Sequence, residues 1–387
     1  MAGHGAPARR IHAALVLLTL LIQPLAVRSG EIPPHPGLDF QIGQMLMVGF
    51  RGMQPGPDHP VRRAIREQHI GGVILFDRDV ALESDERNIR GPEQVRRLTG
   101  RLQASADYPL LIAVDQEGGK VNRLSPERGF SVAPSPAALA ERGPDATRRA
   151  ALGTARQLAG LGFNLNLAPV VDLARNPASP IIAGLDRSFG ARPGPVSRNA
   201  GQVVRAHRAA GVRTSLKHFP GHGSSRGDTH KGLVDITATW EPVELAPYRR
   251  LIDAGLADTV MVGHLVNREL DPDWPASLSR RTVHGLLREK LGYEGVVILD
   301  DLQMGAIRKH YELRTVIRRA LRADADILLF GNNLVYQPRI TERAHRIIRE
   351  LVEQGRVSEE RIQRSYRRIR ALKEDLVEEA AAGGGGG

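Results

Sequence analysis

Short apolar runs recur along the chain and alternate with longer amphipathic segments. Polar residues, Gly or Pro follow each run, a pattern typical of buried β-strands bounded by turns. Eight such runs can be counted, at residues 45–50, 72–76, 110–114, 165–171, 212–216, 259–263, 296–299 and 327–330. The pattern therefore predicts eight strands.

Amphipathic stretches rich in Arg and Ala lie between most of these runs and predict helices. They cover residues 59–68, 92–106, 145–161, 195–210, 245–254, 279–291, 315–323, 341–354 and 359–376. Because parallel strands need crossover connections, a repeated strand-then-helix order predicts a parallel sheet with helices outside it. Eight such units fit an α/β fold, a single (β/α)8 barrel of the TIM type. An open doubly wound sheet is the alternative, but its Gly-x-Gly-x-x-Gly motif is missing after the first run.

The composition is that of a globular protein with a basic surface. The 387 residues are 41% hydrophobic, and 54 Lys and Arg against 43 Asp and Glu give a formal charge of +11. Nucleic-acid binding requires basic residues concentrated beside stacking aromatics, but the arginines are dispersed and only 4% of residues are aromatic. We therefore expect no nucleic-acid partner, and only a weak attraction to anionic polymers of the cell envelope. The chain has no cysteine, which excludes disulfides and catalytic thiols.

Both ends of the chain differ from the predicted barrel domain, residues 31–376. Residues 1–30 begin with Arg9 and Arg10 and continue as an apolar stretch over 13–27, which is typical of a signal peptide. The stretch is short for a membrane span, but Ala26-Val27-Arg28 is a poor cleavage site, so an uncleaved N-terminal anchor is the alternative. We expect export to the periplasm or beyond, or a cytoplasmic protein if this segment is not a signal. Residues 377–387 end in a glycine run and predict a flexible tail.

A cluster of reactive side chains follows the fifth apolar run. It begins with the stretch 217–223, Lys-His-Phe-Pro-Gly-His-Gly, and continues to Asp228-Thr229-His230. Pro and Gly interrupt regular structure here, so the segment predicts a polar loop. In an extended loop, side chains two positions apart point to the same side, so Asp228 and His230 can form a hydrogen-bonded pair. Such a pair suits proton transfer, because the carboxylate fixes the imidazole tautomer and stabilises its cation.

Charged and polar residues also follow other apolar runs. Since the active site of an α/β barrel gathers at the C-terminal ends of its strands, these residues predict one shared site. His264 either contacts substrate or packs beneath the barrel mouth, and Asp301 is expected to cap the following helix. In chain order the residues after the third to the eighth runs are Asp115, Asp172, Lys217 with His218, His264, Asp300 with Asp301, and Asn332.

Four motifs resemble the β-N-acetylhexosaminidases of glycoside hydrolase family 3. Their order and spacing extend over residues 38–335, essentially the whole predicted barrel. They are Val-Asp-Gln-Glu-Gly-Gly-Lys-Val-Asn-Arg at 114–123, Asp-Arg-Ser-Phe-Gly at 186–190, the block 217–230, and the segment from Leu286-Leu287-Arg288 to Asp300-Asp301-Leu302.

The resemblance implies a retaining exo-β-N-acetylglucosaminidase that acts on peptidoglycan fragments or chitin oligosaccharides. It implies Asp300 as the nucleophile and His230 as the acid/base, with Asp228 as the partner of His230. A carbohydrate substrate, no metal or organic cofactor, and a monomer are expected. The residues implied around the hydroxyl and acetamido groups of the sugar are Asp115, Arg123, Arg187, Lys217 and His218, and His264 is a weaker candidate.

Other functions stay open from the sequence alone. A histidine acid is neutral after the leaving group departs, so an anionic acceptor such as phosphate is less repelled and phosphorolysis is an alternative. A β-glucosidase of the same family and a non-enzymatic sugar-binding barrel are two more. A metal-dependent hydrolase with His218, His230 and Asp300 as ligands is a weaker hypothesis, because it leaves the neighbouring cations unexplained.

Overall fold

The computed structural model describes residues 1–2 and 32–383. Apart from its first two residues, the predicted signal peptide or anchor, residues 1–30, lies outside the described part, as do residues 384–387 of the predicted tail. Among the residues described, no helix is both long enough and apolar enough to cross a membrane.

Eight parallel strands form the barrel that the apolar runs predict. Each strand is buried along its full length, and most of the strands therefore appear in the sequence as apolar runs. The fifth strand, Arg213–Phe219, is the exception, because most of its buried residues are polar. The strands are β1 (Leu46–Gly49), β2 (Gly72–Ile74), β3 (Leu111–Val114), β4 (Leu165–Asn166), β5 (Arg213–Phe219), β6 (Thr259–Val262), β7 (Val296–Leu299) and β8 (Leu328–Phe330).

The strands follow one another around the barrel in chain order. Val48 pairs with Val73, and Val73 pairs with Ile112, so the first three strands are in register at one level. β1 pairs with β8, and a parallel bridge between Ile298 and Ile327 joins β7 to the residue before β8. The ring of strands is therefore complete, and their C-terminal ends share one rim.

Helices cover the outside of the barrel. Five of them, α2 to α6, begin with proline, whose fixed φ and missing N–H suit the first turn of a helix. The α-helices are α1 (Leu38–Gln44), α2 (Pro60–Glu67), α3 (Pro92–Gln103), α4 (Pro136–Arg142), α5 (Pro144–Gly160), α6 (Pro193–Arg208), α7 (Ala246–Asp253), α8 (Gly305–Arg308), α9 (Leu313–Ala323), α10 (Ile340–Glu353) and α11 (Glu359–Gly383). A π-helix, Arg281–Lys290, lies between β6 and β7.

The strand limits differ from the prediction at two places that matter for the site. β5 extends to Phe219, so Lys217 and His218 lie inside a buried strand and not after it. β4 ends at Asn166, although the apolar run continues to residue 171. Pro169 has no N–H to donate to a ladder, and the pairing resumes only as a bridge from Val170 to Lys217.

Four helices also differ from the prediction. α1 and α4 were not predicted, and the segment expected as an α-helix over 279–291 forms the π-helix instead. α11 continues to Gly383, past residue 376 where the barrel domain was expected to end. Its last residues are rich in Glu and Ala, which are good helix formers.

Candidate active site

Five of the nine predicted site residues lie at the C-terminal rim of the barrel because each is at or just after a strand end. Asp115 directly follows β3, and Asp300 directly follows β7. Lys217 and His218 lie near the end of β5, and His264 lies two residues after β6. Arg187 is carried to the same place by the long connection between β4 and α6.

A buried carboxylate, Glu117, holds two of the cations in this group. Both oxygens of Glu117 accept from Arg187, at 2.7 Å from Nε and 2.8 Å from Nη2. Lys217 Nζ lies 2.7 Å from Glu117 Oε1 and donates to Asp115 Oδ1 at 2.6 Å. The side chain of Glu117 is 1% exposed and that of Lys217 is 3% exposed, so these charges interact with little screening by water.

The charges in this group keep one another ionised. Burial alone would raise the pKa of Glu117, but the adjacent Arg187 and Lys217 hold that pKa well below its ordinary value. Burial would lower the pKa of Lys217, but Asp115 and Glu117 raise it. Asp115 is the member of the group that reaches solvent, with 19% of its side chain exposed. The cluster therefore presents fixed charges and a carboxylate toward the open rim.

His218 connects this cluster to a second buried carboxylate, Asp172. His218 Nδ1 lies 2.7 Å from Asp172 Oδ2, and His218 Nε2 lies 3.3 Å from Nη2 of Arg187. Burial would raise the pKa of Asp172, but His218 and His222 lower it. Asp172 is therefore an ionised acceptor and fixes the orientation of the His218 ring.

The pair that the two-residue spacing predicts is present in the loop after β5. Asp228 Oδ1 lies 2.8 Å from His230 Nδ1 and also accepts the backbone N–H of His230 at 2.9 Å. The hydrogen bond from His230 lowers the pKa of Asp228 to about 2. Burial would lower the pKa of His230, but the hydrogen bond to Asp228 and the charges of Asp300 and Asp228 raise it. The Nε2 atom of His230 is thus the nitrogen left for proton transfer, on a half-exposed side chain.

Backbone hydrogen bonds bring the His230 loop to the segment that follows Asp300. The N–H of Gly305 donates to the carbonyl of His230 at 3.1 Å, and the N–H of Ala306 donates to that of Thr229 at 3.2 Å. A Cβ atom at position 305 would lie 2.6 Å from the carbonyl oxygen of His230, so glycine is required for this approach. The contact places the acid/base candidate beside the nucleophile candidate.

Asp300 and Asp301 are adjacent acids with opposite pKa shifts. Burial would raise the pKa of Asp300, but His264, His218 and His230 lower it. Burial raises the pKa of Asp301 to about 6. Asp300 is therefore the stronger acid of the two, and Asp301 Oδ1 accepts from the backbone N–H groups of Gln303, in its own loop, and Gly331, in the loop after β8.

The geometry differs from the expected role of Asp301 and favours one of the two alternatives for His264. The helix after Asp301 begins only at Gly305, so Asp301 does not cap it and instead ties its own loop to the loop after β8. His264 is fully buried, with Nδ1 2.7 Å from Ser277 Oγ and Nε2 2.9 Å from the carbonyl of Asp301. Both ring nitrogens of His264 are thus occupied by protein atoms, a geometry that favours positioning of Asp301 over sugar contact.

Arg123 lies in the connection after β3, and the carboxylate it pairs with is Asp77, which is not a member of the Glu117 cluster. Its Nη1 is 3.7 Å from Asp77 Oδ1, and its side chain is partly exposed. Its Nε is buried and has no acceptor among the residues described. A donor in this position is suited to a ligand oxygen.

Two residues of the site received no specific role from the sequence: Glu117 was not singled out, and Asp172 was expected only as one member of the shared site. Glu117 belongs to the Asp-Gln-Glu-Gly-Gly motif, and Asp172 ends the fourth apolar run. The signal that could have assigned Glu117 is the number of cations in the matching motifs, since a buried Lys or Arg needs an acid partner.

Within residues 1–2 and 32–383, no group of three or more His, Asp or Glu side chains is arranged to hold a metal ion. His218 and His230 each bind a different carboxylate, Asp172 and Asp228. The ligand set of the metal-hydrolase hypothesis therefore does not form a group in this structure.

Comparison with known proteins gives the same classification as the barrel and its site. The profile described as the glycosyl hydrolase family 3 N-terminal domain matches residues 37–372. A β-hexosaminidase of Tolumonas auensis is 38% identical over 296 residues, which cover 74% of this chain and 83% of that enzyme. A β-hexosaminidase of Alkalilimnicola ehrlichii is 35% identical over 333 residues, 84% of this chain and 88% of that enzyme.

A solved structure is similar over most of the chain. It is a glycoside hydrolase family 3 β-N-acetylglucosaminidase from a Paenibacillus species, with 38% identity and a TM-score of 0.80 over 88% of this chain. The chain spans 63% of the length of that enzyme. Fold, profile and relatives define a glycoside hydrolase built on a single α/β barrel. The chain belongs to glycosyl hydrolase family 3.

The buried position of Glu117 predicts a large effect of its neutralisation. Glu117→Gln leaves Arg187 and Lys217 buried without their shared counter-charge, and we expect a loss of about 3 to 5 kcal/mol in the free energy of unfolding. Urea denaturation followed by circular dichroism measures this loss. Glu127→Gln is the matched control, since Glu127 is an exposed acid in the same connection, and its unfolding midpoint should not change. Equal midpoints for the two variants would contradict the central role of Glu117 in the cluster.

Proposed function

We propose that this glycoside hydrolase is a retaining exo-β-N-acetylglucosaminidase that removes terminal β-linked N-acetylglucosamine. The names of the relatives and the motifs at 114–123, 186–190 and 217–230 support the sugar. The observation that carries the mechanism is the Asp228–His230 pair beside the ionised Asp300. His230, paired with Asp228, is the proposed acid/base and Asp300 is the proposed nucleophile, and both lie at the same rim of the barrel.

The first step is attack by Asp300 on the anomeric carbon. Asp300 Oδ1 accepts the N–H of Asp301 at 2.8 Å, and Oδ2 is the oxygen that forms the new bond. As the glycosidic bond breaks, His230 Nε2 gives its proton to the leaving oxygen, and a covalent glycosyl-enzyme forms. Asp228 stabilises the histidine cation before this transfer and fixes the tautomer after it.

The second step returns the enzyme to its starting state. Neutral His230 takes a proton from water, the water oxygen attacks the anomeric carbon, and the bond to Asp300 breaks with the electron pair returning to the carboxylate. The released sugar keeps its β configuration because two inversions occur in sequence.

Charged groups of the candidate site, at the rim of the barrel, suit the recognition of sugar hydroxyls. Lys217 gives two of its N–H groups to Glu117 and Asp115, and one is left for a ligand oxygen. Arg123 Nε lacks an acceptor among the described residues, and the Asp115 carboxylate reaches solvent. Directional charged hydrogen bonds of this kind discriminate strongly against analogues that lack the partner group.

The composition of residues 1–30 and the charge of the chain support a proposal about where the enzyme acts. We infer that residues 1–30 direct export or anchor the protein, and that a monomer acts on peptidoglycan fragments or chitin oligosaccharides outside the cytoplasm. The net charge of +11 favours weak association with anionic envelope polymers. Phosphorolysis is the second candidate, because the neutral imidazole lies on a half-exposed side chain next to the cation Lys231.

Nitrophenol release tests the proposed activity. The purified protein is assayed on the β-N-acetylglucosaminide and on the β-glucoside, each with and without phosphate. We expect a preference of about 100-fold or more for the acetamido sugar, and a rate that does not depend on phosphate. A preference for the glucoside would contradict the proposed sugar, and a sugar phosphate as the main product would replace hydrolysis by phosphorolysis.

The pH dependence follows from the raised pKa of His230. The protonated imidazole is the active form in the first step, so kcat/KM falls as pH rises through that pKa. Asp228→Asn removes the negative charge that raises the pKa, and we expect the alkaline limb of the kcat/KM profile to move to lower pH. Asp235→Asn, an exposed acid on the same connection, is the control and should leave the limb in place. A limb unchanged in Asp228→Asn would argue against His230 as the acid.

A further inference from the structure

Asp172 is buried and accepts hydrogen bonds from three nitrogen atoms of the segment 218–222. Its Oδ1 accepts the backbone N–H of His218 at 3.1 Å and that of His222 at 2.8 Å. Its Oδ2 lies 2.7 Å from His218 Nδ1. The residue is 1% exposed, so it acts through other groups and not on a sugar directly.

Asp172 also reaches the segment that carries Arg187. The hydroxyl of Ser188, the next residue, donates to the carbonyl of Asp172 at 2.6 Å. Asp172, early in the connection after β4, is thus bonded both to the segment that holds His218 and to the residue after Arg187. The two segments are separated in sequence, and Asp172 adds to the direct contact between His218 and Arg187.

The charge state of Asp172 determines the tautomer of His218. An ionised carboxylate can only accept, so Nδ1 of His218 must carry the proton. Nε2 then carries the lone pair, and it faces Nη2 of Arg187, which can only donate, at 3.3 Å. The opposite tautomer would bring two N–H groups together at this distance.

Arg187 transmits this arrangement to the rest of the cluster. Its Nε and Nη2 donate to Glu117, which also binds Lys217. A hydrogen-bonded chain therefore runs from Asp172 through His218, Arg187 and Glu117 to Lys217. A displacement of Asp172 therefore shifts the other groups of this chain, because the hydrogen bonds that join them are buried and little screened by water.

We propose that Asp172 is a positioning residue that selects the Nδ1–H tautomer of His218 and thereby aligns His218 and Arg187 with the sugar. The inference rests on the proposed sugar-binding roles of these two residues. It adds a residue that controls affinity for the sugar without contacting it.

Asp172→Asn is the decisive variant because it keeps size and removes only the charge. The amide oxygen still accepts from the two backbone N–H groups, but the amide nitrogen now donates to His218 Nδ1. The proton moves to Nε2, where it opposes Arg187. We expect KM for the nitrophenyl N-acetylglucosaminide to rise about 10- to 100-fold, with a smaller change in kcat. The limb of the pH profile that His230 sets should stay in place.

Nitrogen NMR of protein labelled with 15N-histidine reads the tautomer directly. The signals of His218 are assigned by their loss in His218→Ala. We expect the proton on Nδ1 in the wild type and on Nε2 in Asp172→Asn. The wild-type spectrum alone can overturn the proposal, by showing the proton on Nε2, so the test does not depend on the variant folding.

Asp326→Asn is the matched control for the loss of a buried carboxylate. Asp326 is fully buried and binds Arg288, Ser365 and the backbone of Val297, at the end of β7 opposite to Asp300. This control should lower the urea midpoint while KM is unchanged. If Asp172→Asn behaves in the same way, Asp172 is only structural and the proposal is wrong.

His218→Ala separates failure of this inference from failure of the proposed function. If His218→Ala leaves KM unchanged, His218 does not bind the sugar and both the proposed role and this inference fail. If His218→Ala raises KM but Asp172→Asn does not, the sugar-binding role stands and the positioning role of Asp172 alone is overturned.

Discussion

Glu117 is an ionised carboxylate with 1% of its side chain exposed, and the geometry of the site depends on how its charge is balanced. The balance requires two cations from different parts of the chain, Arg187 after β4 and Lys217 within β5. Loss of one partner from such a cluster leaves an uncompensated buried charge, so the three segments are held together strongly. The cations are consequently in place before any sugar binds, and little ordering is left for the binding step.

The same site contains acids with contrasting environments. Asp300 is surrounded by histidines that lower its pKa, whereas the pKa of the adjacent Asp301 is raised to about 6 by burial. Environment thus suits neighbouring carboxyl groups to different roles, one as the proposed nucleophile and one as an acceptor for backbone N–H groups. His230, in contrast to Asp300, must be protonated in the first step. Its hydrogen bond to Asp228 and the charge of Asp300 raise its pKa and so favour the protonated form.

Much of the fold could be predicted because the barrel strands are buried on both faces and so leave continuous apolar runs. Seven of the eight runs contain a whole barrel strand, and the run at 212–216 covers the first part of β5. The limits were less predictable: a charged residue such as Lys217 marks the end of a strand in the sequence, but its acid partners allow it to stay in β5. The short α1 and the π-helix over Arg281–Lys290 depend on packing that local pattern does not encode.

The candidate site, like the fold, could be predicted from the sequence only in part. Asp228 and His230 are two residues apart, so their pairing follows from local geometry alone, and the structure has it. The roles of Glu117 and Asp172 depend on which residues of distant segments meet them, which no spacing along the chain reveals. His264 follows a strand as the catalytic groups do, yet Ser277 and Asp301 occupy both of its ring nitrogens.

We propose that Asp300 attacks the sugar while His230 protonates the leaving group. Trapping the covalent intermediate tests this directly. An N-acetylglucosaminide fluorinated at C5, with a dinitrophenyl leaving group, forms the intermediate and slows its breakdown, because fluorine destabilises the oxocarbenium-like transition states. Proteolysis and mass spectrometry then locate the sugar. We expect the label on the peptide containing Asp300, at that residue, and no label on Asp300→Ala. A label on Asp301 or another carboxylate, or release of an inverted sugar without any label, would contradict this proposal.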